Sequence, residues 1–256
     1  MRDFRYAIRI LVKSPVFAVT SMLTLALCIG ANTAIFTVVD RVLLRPLPYP
    51  RPDRLAQVTT HFERFGNNEI GQTGGTWEVL RDSVTTADLA VVGSGMGVNL
   101  VAGDRPQYIQ QQRISAGFFG VLGIAPAIGR EFTAEEDRPG GPALAVLSHG
   151  LWTRLGADPA LVGRAVMLRG ASHLVVGVMP RGFTSGSPVD VWTPLQPSRR
   201  GEGGGQNYAI VARLHDGVTW AQADAEFAAA GQAAMDDLYR AAASANNRAG
   251  GFECRW

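Results

Sequence analysis

SPVFAVTSMLTLALCIGANTAIFTVV, residues Ser14–Val39, carries no charged side chain. Within it, Val16 to Val39 exceeds the roughly 20 residues a helix needs to cross the hydrocarbon core of a bilayer, and no later stretch matches it. Its eleven Leu, Ile, Val and Phe residues favour insertion by about 3–7 kcal/mol, offset in part by Thr20, Ser21, Thr24, Asn32 and Thr33. The pattern predicts one transmembrane helix, placed with its flanks at residues 14–44. Arg2, Arg5, Arg9 and Lys13 would also suit the basic start of a cleaved secretory signal. Against cleavage, the run is longer than a usual signal core, no Ala-x-Ala site ends it, and Leu27 before Cys28 is too bulky for a lipoprotein site.

Residues 1–13 place Phe4, Ile8 and Leu11 at helical spacing among arginines, the pattern of a short amphipathic helix on the cytoplasmic surface; a frayed tail is the alternative. Arg41, Arg45, Arg51 and Arg54 follow the apolar run and nearly cancel the N-terminal positive charge. Orientation therefore rests on size: a long domain translocates largely regardless of charge, leaving the short basic stub inside. Ala26, Gly30 and Ala34 fall four apart on one face with Asn32 nearby. Small residues at that spacing let another helix backbone approach closely, although they are also common in transmembrane helices generally.

Leu43–Pro52 reads LLRPLPYPRP, and Pro46, Pro48, Pro50 and Pro52 forbid regular helix while favouring a semi-rigid, polyproline-like connector. Beyond it, short apolar stretches between Gly and Pro breakers read as strands: Leu55–Thr59, Leu89–Gly93, Tyr108–Ile114, Ala143–Ser148, Ala165–Arg169, Leu174–Val178 and Tyr208–Leu214. Helices are expected at Thr76–Arg81, Ala116–Leu122, His149–Leu155 and Trp220 to about Ala242. Strands outnumber helices without strict alternation, so the expected fold is an α+β domain in two lobes over residues 45–240. A Gly-rich loop at Arg200–Gln206 precedes the final strand and helix, and 241–256 reads as an irregular tail.

The 256 residues are 46% hydrophobic and 18% charged, the composition of a folding chain. A net charge of +2 without a Lys/Arg run gives no electrostatic basis for nucleic-acid binding. Cys28, in the apolar run, and Cys254, two residues from the C-terminus, are poor candidates for a disulfide.

Catalytic and cofactor motifs are missing. Lys13, the only lysine, follows Val12 and cannot belong to a phosphate-binding P-loop. Gly93, Gly95 and Gly97 misplace the third glycine of a dinucleotide fingerprint and read as a turn. His61, His149, His173 and His215 lack metal-ligand spacing. Ser148 beside His149 lacks the elbow that exposes a nucleophile and reads as a helix cap. Glu131, Glu135, Glu136 and Asp137 form an acidic cluster, but Thr133 three residues before Glu136 makes a capping box. No cofactor, metal site or enzymatic activity is expected.

The chain resembles the MacB/FtsX-like ABC transporter permeases, in the duplicated orphan permease branch with a MacB-like periplasmic core domain. The likeness begins in KSPVF (Lys13–Phe17) and LTLALCIGANTAIFTVVDRVLLRPLPYPRPDRL (Leu23–Leu55) and resumes in ISAGFFGVLGIAPAIGREFTAEEDRPGGP (Ile114–Pro142). It continues in VLSHGLW (Val146–Trp152), DPALVGRAV (Asp158–Val166), VVGVMPRGF (Val175–Phe183) and DVWTPL (Asp190–Leu195), reaching about Phe227. Cys28 departs from the family's usual Gly, and His61–Gly75 matches weakly.

The resemblance implies a cytoplasmic N-terminus, one inner-membrane helix and a periplasmic or extracellular domain. It implies a permease component of an export or mechanotransmission system without catalytic residues, embedded in membrane lipid beside other transmembrane helices. A separate ATPase subunit and a periplasmic adaptor are the partners it suggests. Such permeases continue into three further transmembrane helices, so the expectation is an N-terminal fragment. The alternatives are a standalone membrane-anchored periplasmic interaction module and, more distantly, an extracytoplasmic hydrolase.

Overall fold

The threonines and Asn32 of the apolar run bond back to carbonyls of their own helix. The computed structural model describes residues 13–39, 47–62, 67–69, 71–102, 106–197 and 205–244. In it, α1 (Pro15–Val39) is one unbroken helix, and Pro15–Thr37 is long and apolar enough to cross a membrane. The hydroxyls of Thr20, Thr24, Thr33 and Thr37 donate to carbonyls four residues back at 2.7–2.9 Å. The Asn32 amide does the same to Cys28 O at 3.0 Å. A back-bonded hydroxyl enters hydrocarbon with its donor already paired, which lowers the cost estimated from composition.

The chain forms two compact units, Met1–Pro48 and Tyr49–Trp256. The second opens with a 3-10 turn at Pro52–Arg54, then β1 (Leu55–Val58), β2 (Thr60–Phe62), β3 (Asn67–Glu69), β4 (Gly71–Gln72), α2 (Gly74–Ser83), β5 (Ala87–Val101) and β6 (Pro106–Ile114). It continues through α3 (Phe118–Leu122), β7 (Ile128–Gly129), β8 (Leu144–Leu147), α4 (His149–Arg154), β9 (Ala165–Leu168), β10 (Ala171–Val178), β11 (Val191–Pro194), β12 (Tyr208–Leu214) and α5 (Trp220–Ser244). All seven expected strands and all four expected helices of the domain are present. Helix α5 extends to Ser244, into the tail expected to be irregular, whose remaining residues lie outside the described ones. The amphipathic stub and most of the Gly-rich loop also lie outside them.

Two lobes share one sheet. In the first, β12 lies between β1 and β5, all antiparallel. One face of this open sheet packs Val91, Ile210 and Ala212 against Trp77 and Leu80 of α2 and Ala223 and Phe227 of α5. In the second, β5 pairs β6, β6 pairs β11, β11 pairs β8, β8 pairs β10, β10 pairs β9, and β9 returns to β5. That circuit is a closed six-stranded barrel, which leaves no sheet edge exposed around it. Strand β11 was not expected, because four residues ending at Pro194 fall below the usual strand signal.

The glycines expected to form a turn lie instead inside β5. Residues 87–93 pair with β12 and residues 95–101 with β6, with a bulge between Val92 and Gly95. A strand passing from an open sheet into a barrel must bend, and bulges and glycines are how strands bend. Gly97 has a further reason: a Cβ there would run into the Tyr108 hydroxyl and ring. Tyr108 covers the gap left by the missing side chain while staying 73% exposed on the barrel's outer surface.

Helix α5 is also tied to the start of β5. Glu226 accepts from the backbone N–H groups of Thr85 and Thr86, each at 2.9 Å, and from both hydroxyls. Burial pushes its carboxyl up, but the hydrogen bonds from Thr86 and Thr85 outweigh burial and bring it to about 2. A carboxyl held below its ordinary value of 4.5 adds stability that is fully present above that pH and disappears as pH falls through the folded value. The stability gap between the native chain and Glu226→Gln is thus expected to be constant near neutral pH and to close between about pH 4.5 and pH 2. Thermal melts of both proteins across that range check this; a gap independent of pH would refute it.

Candidate functional site

Six residues at the start of the domain, Tyr49 to Arg54, form a strap held almost entirely by the corner between β12 and α5. Arg51 turns the chain in the left-handed region (φ 48°), and Pro52 sits at the first position of the 3-10 turn, where its missing N–H costs nothing. The strap therefore presents carbonyl oxygens rather than amides to the domain, and an arginine reads them. Arg213 of β12, only 7% exposed, donates from Nη1 to Pro50 O at 3.0 Å and Arg51 O at 3.5 Å. Its Nε donates to Val121 O at the end of α3. Burial lowers its basicity, and the neighbouring Arg51 lowers it further.

Around this buried cation the remaining ties are at the surface. Arg51 pairs with Asp216 at 2.6 Å, and Arg54 donates to the carbonyls of Leu214 and His215. Trp220 at the start of α5 donates from Nε1 to Asp53 O at 3.1 Å, and the Tyr49 hydroxyl donates to Thr184 O at 2.9 Å. His215 bonds Asp88 of β5 at 2.9 Å, and that hydrogen bond raises its pKa. An exposed ion pair such as Arg51–Asp216 is worth about 1 kcal/mol or less, so the buried Arg213 bonds dominate. The site is a clamp: it fixes where the chain enters the domain relative to the strand and helix by which it ends.

The connector prolines divide accordingly. Pro46 lies outside the described residues, Pro48 is exposed, Pro50 offers its carbonyl to Arg213, and Pro52 opens the 3-10 turn. In α1, Ala26, Gly30, Asn32 and Ala34 are exposed, and a Cβ added at Gly30 would meet nothing.

Most of the acidic cluster, together with Ser148, holds local backbone in place. Thr133 and Glu136 make the reciprocal capping box, at 2.9 and 3.3 Å, and Glu136 also pairs with Arg130. Glu131 accepts the Phe119 N–H at the start of α3, and Asp137 accepts those of Ala116 and Gln196. Burial raises both carboxyls. Ser148 caps α4 by accepting from Leu151 N at 3.1 Å. No group of three metal-binding side chains occurs among the described residues. Arg213 escaped sequence reasoning; its one signal was a charge inside the apolar strand YAIVARL.

The family described as the MacB-like periplasmic core domain matches residues 18–230. No curated protein matches the chain. Among solved structures, the chain is similar to a domain of a protein described as a permease from Porphyromonas gingivalis, with a TM-score of 0.54, 16% identity, and coverage of 75% of this chain and 86% of that one. It is similar to the periplasmic region of MacB from Actinobacillus actinomycetemcomitans, with a TM-score of 0.51, 16% identity, and coverage of 75% and 93%. It is also similar to the extracellular domain of the noncanonic ABC-type transporter YknZ from Gram-positive bacteria, with a TM-score of 0.51, 15% identity, and coverage of 72% and 95%. At such identities the structures share the fold alone, while the family match spans most of the chain. The chain belongs to the MacB-like periplasmic core domain family, the periplasmic domain associated with ABC-type transporter permeases.

Proposed function

We propose that this chain is the permease component of an ABC-type export or mechanotransmission system, whose domain couples movement of the membrane helix to an extracytoplasmic partner or substrate. The observation that carries this reading is the Arg213 clamp. A mechanical coupler needs its input segment fastened to its output elements, and the strap at 49–54 is fastened to the corner where β12 leads into α5. The family is a transporter permease component, not an enzyme family.

On this reading the N-terminus is cytoplasmic, α1 spans the inner membrane and the domain is periplasmic or extracellular. Ala26, Gly30, Asn32 and Ala34 form the face on which further permease helices pack. Pro46 to Pro52 transmit displacement, with a separate ATPase subunit and a periplasmic adaptor at the two ends.

Topology is tested by thiol labelling in spheroplasts with an impermeant reagent, on a Cys28→Ser, Cys254→Ser background carrying a single cysteine at Ser14 or Ser187. Labelling is expected at 187 and not at 14; labelling at 14, or protection of 187 until lysis, would overturn the arrangement. Coupling is tested in an intact permease by replacing the prolines matching Pro46, Pro48 and Pro50 with Gly. Transport is expected to fall while assembly persists, and unchanged transport would remove the connector from the mechanism.

A further inference from the structure

Tyr49 stands apart from the other strap residues, because it is tied to the barrel lobe. Its half-buried ring packs against the aromatic cluster that holds Phe119 and Trp192, and its hydroxyl donates to Thr184 O at 2.9 Å. Thr184 lies in the loop between β10 and β11, and its two neighbours reach other parts of the same wall. Phe183 sets its ring edge-on to Trp192 at 5.4 Å and to Phe119 at 5.6 Å. Ser185 donates from Oγ to Gln112 Oε1 at 3.0 Å. Gln112 of β6 and Trp192 of β11 are register partners, 7% and 1% exposed, so Phe183 and Ser185 hold one spot on the barrel wall.

Phe183–Ser185 is bounded by Gly182 and Gly186, at φ 82° and 90°. A Cβ at either would meet nothing, so these glycines answer to backbone conformation rather than to packing. The segment between them is a three-residue tab with a permissive residue at each end, the pattern of a short hinged element. It also has room to move: Phe183 and Thr184 line a cavity of about 290 Å³ whose other walls include Ser148, Pro188 and Trp192. A ring beside a void leaves its place without overpacking a neighbour, which a fully enclosed ring cannot do.

We infer that this tab is the switch through which the strap acts on the barrel. Displacement of Tyr49 draws on Thr184, turns the tab about its two glycines, and withdraws Phe183 from Trp192 and Ser185 from Gln112. The Arg213 bonds hold the strap to the open-sheet lobe, whereas the Tyr49 hydroxyl joins it to the barrel lobe through one hydrogen bond. One such bond shifts an open-to-closed ratio by about two- to tenfold, enough to bias the tab and too little to lock it. The inference rests on the coupling reading above and adds the element that receives the movement.

The test uses the full chain in nanodiscs, labelled with fluorotryptophan and read by fluorine NMR, with the Trp192 and Trp77 signals assigned by Phe substitution. Tyr49→Phe keeps the packed ring and removes the hydroxyl, and Ser185→Ala releases the other side of the tab. Each is expected to raise the solvent exposure of Trp192, read as its D2O-induced shift, about two- to tenfold. Trp77, in the core of the open-sheet lobe, is expected to stay unchanged. An equal Trp192 signal in the native chain and Tyr49→Phe would overturn the switch, as would an equal response of Trp77, which marks general loosening. In an intact permease, the tyrosine matching Tyr49 is replaced by Phe alongside the proline variants, and transport is expected to fall in both. Loss in the proline variants with full transport in the tyrosine variant would overturn the tab and spare the coupling reading. Full transport in both would overturn that reading, and the role of the tab with it.

Discussion

Replacing Arg213 with Met is expected to destabilise the domain by about 2–4 kcal/mol and to expose the 49–54 strap to proteolysis before the rest unfolds. The methionine keeps the packed stem of the side chain, so the loss isolates the guanidinium. Removing it leaves the carbonyls of Val121 and Pro50 without this donor, while that of Arg51 keeps the Arg54 N–H. Hydrogen bonds from a charged group contribute about 1.5–3 kcal/mol each in favourable geometry. Part of that is returned, because a buried cation no longer has to be desolvated. Arg213→Lys should fall between the two, since one ammonium cannot reach the carbonyls on both sides that the planar fork bridges. Urea unfolding gives the energy, and trypsin cleavage after Arg54 under native conditions reports release of the strap. An unchanged midpoint together with unchanged cleavage would mean that Arg213 does not hold the strap, and the clamp would lose its central element.

The contrast between what was legible in the sequence and what was not follows from the range of the interactions. Tyr208–Leu214 and His149–Arg154 were readable because alternation, alanine content and the Ser148 cap are properties of neighbours along the chain. The same holds for the Thr133–Glu136 capping box. The Gly93–Gly97 stretch misled because glycine signals a turn locally, and only the partner strands reveal that β5 is handed there from β12 to β6. Strand β11 was hidden for a related reason: four residues ending in proline become a strand only when β6 and β8 flank them. The clamp joins Pro50 to Arg213 across more than half the chain, and a buried hydrogen bond joins Gln111 of β6 to Thr193 of β11. Neither pairing leaves a local trace beyond a polar residue inside an apolar strand.

Phe119→Ala is expected to cost about 3–5 kcal/mol, the loss typical of a fully buried aromatic ring. Phe119 is fully buried at the centre of an aromatic group, edge-on to Phe118 and Phe183 at 5.6 Å and to Trp192 at 5.5 Å. Such edge contacts add about 0.5–1.5 kcal/mol beyond area burial. Its N–H is already held by Glu131, so the backbone of α3 is anchored and cannot collapse readily into the void. What makes the position informative is where the void would open. The cluster around Phe119 draws Ala90 from β5, Val146 from β8, Val176 from β10 and Trp192 from β11, so it joins the open sheet to the outer wall of the barrel. If the lobes form one cooperative unit, Phe119→Ala shifts the urea midpoint and leaves the slope unchanged. A transition split in two would show that this wedge alone had made them cooperative, and a loss under about 1 kcal/mol would show that the lobes are joined mainly through β5. Only a cooperative pair can carry displacement from the strap to the barrel without dissipating it in local unfolding, so this slope tests the domain's fitness as a mechanical coupler.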